Sequence, residues 1–78
     1  MSISKTNQKK LKILGERIKS LRESKGLTLK TLSHSIGKDP QSIHRVEKGL
    51  INPTYLYLLQ VCEGLEIDIK DLLKDLNE

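Results

Sequence analysis

The amino-acid sequence predicts an all-α fold, a compact domain of five short helices. Three observations predict it. Apolar residues recur at steps of three and four rather than two, the spacing of one face of an α-helix. Glycine and proline interrupt that spacing at Gly26, Gly37, Pro40, Gly49, Pro53 and Gly64, so the helices between them are short. Thr28, Asp39, Thr54 and Asp68 stand where N-caps are needed. No alternating strand pattern, repeat or low-complexity stretch competes with this reading.

Leu11, Leu14, Ile18 and Leu21 form one stripe of a first helix, which Gly26 ends as the residue after its cap. Thr28 opens a short second helix with Leu32 and Ile36 four apart, stopped at Gly37. Asp39 followed by Pro40 pairs an N-cap with proline at the first helical position, opening a third helix over about 40–48. Its inward residues are Ile43 and Val46, and Gly49 ends it. Thr54 caps a fourth helix with Tyr55, Leu58, Leu59, Cys62 and Leu65 at core spacing. Asp68 opens a fifth, with Ile69, Leu72, Leu73 and Leu76 apolar. Residues 1–6 read as a loose basic arm and 7–78 as a single domain.

The chain has 78 residues, 36% hydrophobic and 31% charged. Below about 70–80 residues one core supplies only about 3–5 kcal/mol, so such chains lean on disulfides, metals or self-association. The single Cys62 closes no intrachain disulfide, and with His34 and His44 it makes no metal-ligand spacing. Self-association is the support that remains. No apolar run approaches the about 20 residues of a membrane span, and residues 1–10 contain no apolar segment of a secretory signal. The expectation is a cytoplasmic protein with no cofactor and no small-molecule ligand.

Residues 1–48 hold twelve Lys/Arg against four acids, a charge of +8; residues 49–78 hold two Lys against six acids, a charge of −4. A cationic half joined to an anionic half points to a polyanion for the first and a different partner for the second.

The second and third helices, separated by Gly37, Lys38 and Asp39, make a helix-turn-helix. Ser33 is small where the two helices pack closest, Gly37 can take positive φ, and Ile43 and Val46 are β-branched plugs on the inner face of the third helix. Four such matches at fixed spacing, with caps in agreement, are a specific signal.

The stretch from Arg22 to Leu73 resembles the phage-repressor helix-turn-helix family (Cro/CI type, also called XRE) along nearly its whole domain. The resemblance rests on Arg22 with Gly26-Leu27-Thr28, Leu32-Ser33 with Ile36-Gly37, and Ser42-Ile43 with Arg45-Val46-Glu47 and Gly49. Asn52-Pro53-Thr54 and Leu58-Leu59 with Val61-Cys62 and Leu65 continue it. It implies a lambda-repressor-like domain whose third helix enters the major groove of double-stranded DNA, and binding as a symmetric dimer. It also implies that Arg22 and Glu47 form an internal ion pair between the first and third helices.

If Ile43 and Val46 face the core, Gln41, Ser42, Arg45 and Lys48 lie outward, with His44 near the edge. Recognition helices read bases mainly with their N-terminal residues. Gln41 suits adenine and Arg45 suits guanine, each a bidentate pairing. Pro40 has no N–H and offers shape or a thymine-methyl contact. The plain alternative is a solvated polar face. Candidate phosphate contacts are Thr28, Lys30, Lys38, Lys48, Asn52 and Thr54, with Ser42 near the turn and Lys19 and Lys25 at the flank. Leu29 stands where relatives commonly place a phosphate-anchoring Gln.

The C-terminal region, about 50–78, is the expected dimerisation region. Leu50, Ile51, Leu56, Tyr57, Leu72, Leu73 and Leu76 give it more apolar residues than a monomer needs, a two-fold self-complementary patch. Cys62 reads as a small buried apolar residue. His34 and His44 lack acid or nucleophile partners, and no phosphate-cradling or nucleophile motif is present, so no enzyme is expected. The expected function is a sequence-specific, double-stranded DNA-binding transcriptional regulator, a repressor or autoregulator on a palindromic operator, nucleoid-associated when bound. The competing reading is a protein-interaction module on the same fold with weak or vestigial DNA binding, kept open by Leu29 and the Leu50-Ile51 loop.

Overall fold

A side chain satisfies free N–H groups of the first turn at four of the five helices that the computed structural model, which describes residues 4–76, shows. The five are α1 (Lys5–Ser24), α2 (Leu29–Ser35), α3 (Pro40–Glu47), α4 (Tyr55–Leu65) and α5 (Ile69–Leu73). Ser4, Thr28, Asp39 and Thr54 accept hydrogen bonds from first-turn N–H groups of α1 to α4; Asp68 precedes α5 without such a bond. Gly26, Gly37 and Gly49 follow the first three helices at φ of 71°, 67° and 72°, the left-handed conformation that favours glycine.

The core takes residues from all five helices: Ile18, Leu32, Ile43, Val46, Leu58, Val61, Cys62, Leu65 and Leu72. α3 is held between α1 and α2, α4 packs on α2, and α5 closes the end against α4 and α1.

Four expectations about the fold are corrected. Lys5 and Thr6 do not belong to an arm: the Ser4 hydroxyl caps α1 at the Asn7 N–H (3.2 Å), so the helix begins at Lys5. Residues 1–3 of the expected arm, and 77–78 of the expected domain, lie outside the described residues. The fourth helix includes Leu65 as expected, passing through Gly64 and ending with Glu66 at φ 59°. Tyr55 is 65% exposed rather than in the core. It is the first residue of α4, and helical side chains lean toward the N-terminus, so its ring projects past the helix end; Val61 takes the inward place instead. Leu72 is fully buried where α5 meets the rest of the core, so it is unavailable to a partner. Finally, α5 ends at Leu73, leaving Leu76 half-buried beyond the helix.

Two contacts were not foreseen. A Cβ on Gly15, in the middle of α1, would overlap the carbonyl oxygens of Val46 and Glu47, so the backbones of α1 and α3 touch there. Arg17, on another side of α1, donates to the carbonyls of Asp71 (3.3 Å) and Lys74 (2.8 Å) at the end of α5. A cation there also suits the negative end of the helix dipole.

Candidate nucleic-acid interface

The helix-turn-helix is built from the inside out. Ile43 and Val46 plug the core from α3, and Ser33 is buried in α2 with its hydroxyl donating to the Lys30 carbonyl (3.0 Å). That bond satisfies a polar group the tight packing would otherwise strand. With those residues inward, Gln41, His44, Arg45 and Lys48 are exposed on the far side of α3. Gln41 and Arg45 are four apart and therefore neighbours on the helix surface. Asp39 fixes the start of this face, its carboxylate accepting from the Gln41 N–H (3.0 Å).

Behind α3 sits a fully satisfied ion pair. Arg22 Nε donates to Glu47 Oε2 (2.7 Å), Nη2 donates to Glu47 Oε1 (3.1 Å), and Nη1 donates to the Leu27 carbonyl (2.8 Å). The residues are 7% and 5% exposed. The Glu47 hydrogen bonds push the Arg22 pKa above its ordinary value, against the burial that opposes charge. The fork geometry fixes the rotation of α3 about its axis relative to α1.

The structure separates the outward candidates into two groups. Gln41, His44 and Arg45 are exposed together, and Pro40 is exposed beside them, lining a groove with Leu29, Gln41 and His44. Ser42 departs from the expected outward set. It is half-buried, and its hydroxyl shares a 2.8 Å hydrogen bond with the Tyr57 hydroxyl of α4. Ser42 lies on the side of α3 that meets α4, one step round from the exposed face. Tyr57 is correspondingly half-buried rather than a free interface residue, and Lys38 Nζ lies 5.0 Å from its ring centre, a cation–π distance. Burial raises the Tyr57 pKa above its ordinary 10.0, with the Ser42 hydrogen bond opposing.

Among the phosphate candidates, Lys30, Lys48 and Asn52 are exposed. Thr28 and Thr54 are exposed but already caps. The Thr28 hydroxyl accepts from the Thr31 N–H (3.0 Å) while the Thr31 hydroxyl accepts from the Thr28 N–H (2.8 Å), and the Thr54 hydroxyl accepts from the Tyr57 N–H (3.0 Å). Leu29 is half-buried against the core. Of the apolar candidates, Leu50 (65%), Leu56 (63%), Ile51 and Leu73 are exposed.

The Ser42–Tyr57–Lys38 group was not foreseen. A tyrosine on the inner edge of the fourth helix is a weak sequence signal, because its partner lies fifteen residues away. Gly15 carried a clearer one: glycine inside a helical pattern marks a close backbone approach.

A capped α2, a glycine turn and a polar-faced α3 locked from behind define a helix-turn-helix DNA-binding protein. Residues 18–72 match the model of the Helix-turn-helix family HTH_3, well over half of the chain, and the chain belongs to that XRE-type family of DNA-binding transcriptional regulators. Among solved structures it is similar to the restriction-modification controller protein C.AhdI from Aeromonas hydrophila, at 32% identity and a TM-score of 0.77, covering 80% of this chain and 94% of that one. It is similar also to ClgR, the clp gene regulator from C. glutamicum, at 27% identity and a TM-score of 0.81, covering 86% and 87% respectively. An HTH_3 family transcriptional regulator from Vibrio cholerae shares the fold at 24% identity and a TM-score of 0.82, covering 90% of this chain and 40% of that one. A search of curated protein sequences found no match. Among the described residues no helix is long and apolar enough to cross a membrane.

Proposed function

We propose that the protein is a repressor or autoregulator that binds a palindromic operator as a homodimer, with α3 of each copy in the major groove. The observation that carries this is the exposed Gln41, His44, Arg45 and Lys48 face of α3, held rigid by the buried Arg22–Glu47 pair. Gln41 and Arg45 read bases, Pro40 and His44 border them, and Lys30, Lys48 and Asn52 hold phosphates. Thr28 and Thr54 position the helix ends whose N–H groups face the backbone. The exposed Leu50, Ile51, Leu56 and Leu73 form the contact between copies, now without Leu72 and with Tyr57 and Leu76 at its margin. The likeness to C.AhdI favours, among such autoregulators, a restriction-modification controller.

Selection of bound duplexes from a random DNA pool tests it. The expected result is a palindrome with half-site centres one helical turn apart, about 34–36 Å, or a multiple of that. Arg45→Ala or Gln41→Ala should relax the sequence at single positions, each by about 1–3 kcal/mol of discrimination. Absence of enrichment, together with no binding to random DNA at low salt, would overturn the reading. It would leave the exposed Leu50-Ile51 loop as the mark of a protein-interaction module.

A further inference from the structure

The flank of α1 that faces α3 carries a charge arrangement that the helix-turn-helix does not explain. Residues 1–22 contain seven Lys/Arg and one acid, Glu16. Lys5, Lys12 and Lys19 are seven residues apart, nearly two full turns, so they lie in line along one side of α1, and Lys9 is a helical neighbour of both Lys5 and Lys12. Other sides of the helix are used elsewhere: Gly15, Ile18 and Arg22 face inward, and Arg17 reaches to the end of α5.

This line runs into the exposed face of α3. A Cβ on Gly49 would lie 2.7 Å from Lys12 Cα, so the chain leaving α3 touches α1 at Lys12. Lys12, Lys19 and Glu16 line the same shallow cavity, roughly 280 Å³, as Lys48 and His44. Its other two charges, Arg22 and Glu47, neutralise each other, and theirs is the only ion pair among the described residues. Three lysines therefore face one carboxylate there, and Lys5 and Lys9 extend the excess outward. Clustered like charges repel one another and are relieved by a polyanion.

We propose that Lys5, Lys9 and Lys12 form a second DNA-backbone surface, contacting phosphates that flank the base pairs read by α3. These lysines precede the stretch that matches the family, which begins at residue 18, so the surface is an addition to the helix-turn-helix unit. At 1.5 Å per residue the line from Lys5 to Lys19 spans about 21 Å, and a duplex carries one charge per about 1.7 Å along its axis. Ile18 of α1 is buried in the core and Leu14 and Leu21 pack against it, while Ile13 stays exposed beside Lys9 and Lys12, so the flank offers a DNA backbone charge with one apolar contact. The inference rests on the DNA-binding reading above.

The test is binding of the full chain to random-sequence duplexes, by fluorescence anisotropy, from about 50 to 200 mM salt. Wild type is compared with Lys12→Gln and with the triple variant Lys5→Gln, Lys9→Gln, Lys12→Gln. Glutamine keeps helix propensity close to that of lysine. A control triple, Lys10→Gln, Lys70→Gln, Lys74→Gln, makes the same charge change elsewhere. The slope of log affinity against log salt should become shallower by about 0.9 for each phosphate no longer neutralised, so by about 2–3 in the triple and about 0.9 in Lys12→Gln. The control should keep the wild-type slope, and the selected sequence should be the same for all. A wild-type slope in the triple, or an equal change in the control, would overturn the proposal. If Arg45→Ala still relaxes sequence preference in that case, the DNA-reading function stands without it. Failure of wild type to bind any duplex would overturn both.

Discussion

The two halves of this small domain solve the problem of burial differently. α1 and α3 meet through a buried ion pair and a backbone contact at Gly15, and among the described residues the buried polar or charged side chains, Arg22, Ser33 and Glu47, all belong to α1 to α3. The buried residues of α4 and α5 are Leu58, Val61, Cys62, Leu65 and Leu72. The difference follows what each half presents outward. The polar face proposed to read bases must be aimed, and directional bonds from Arg22 to Glu47 aim it. An apolar face needs only support, and α4 and α5 leave Leu50, Leu56 and Leu73 uncovered around a purely apolar interior. Among the described residues, Ser42–Tyr57 is the one side-chain hydrogen bond that joins α3 to α4.

The sharpest way to break the contrast is to strand a charge in the reading half. Glu47→Ala leaves the Arg22 guanidinium buried with only the Leu27 carbonyl, and should cost about 3–5 kcal/mol in chemical denaturation. Replacing both partners by apolar residues of similar volume should recover much of that stability while weakening DNA binding. If Glu47→Gln keeps both stability and affinity, the aiming role is wrong.

Gly15→Ala should cost somewhat less, about 1–3 kcal/mol, because α1 and α3 must separate to admit the methyl group. Affinity for DNA measured well below the melting temperature should fall as well, since α3 is displaced. An unchanged melting temperature would refute the close approach.

Tyr57→Phe removes the bond between the halves at about 1 kcal/mol. It also changes the alkaline limb of stability. A tyrosine whose folded pKa is raised contributes stability that is fully present below its unfolded value near 10 and is lost as pH rises through the folded value. Above pH 10 the wild type should lose stability faster than Tyr57→Phe does, so the gap between them should narrow in urea titrations.

The smallest effect on the fold belongs to the outer face of the C-terminal half. Leu50→Lys with Leu56→Lys should change the stability of the isolated domain by no more than about 0.5 kcal/mol for each residue. The same pair should convert the proposed dimer to monomer in sedimentation velocity and flatten cooperative binding to the palindrome. A monomeric wild type at tens of micromolar, with and without its selected site, would instead show that these side chains serve another partner.

Much of this was legible in the sequence because it is local. The apolar steps and caps placed the first four helices, while the fifth ends three residues before the expected Leu76, and Ile43 and Val46 showed which side of α3 faces out. What stayed hidden depended on neighbours far along the chain. Tyr57 and Ser42 meet across helices, and Leu72 is apolar like Leu73 beside it, so only the docking of α5 decides which is inside. Glu66 in a left-handed conformation shows the same limit: a helix end at a residue other than glycine carries no local signal.

The contact at Gly15 has one more consequence. Because two backbones, not two flexible side chains, touch there, α1 and α3 form a single stiff body with no give between them. When the spacing or width of a DNA groove departs from its best fit, the protein cannot accommodate by tilting α3, the helix proposed to read it, alone. The duplex must deform instead, and operators should then be sorted partly by how easily their uncontacted base pairs bend.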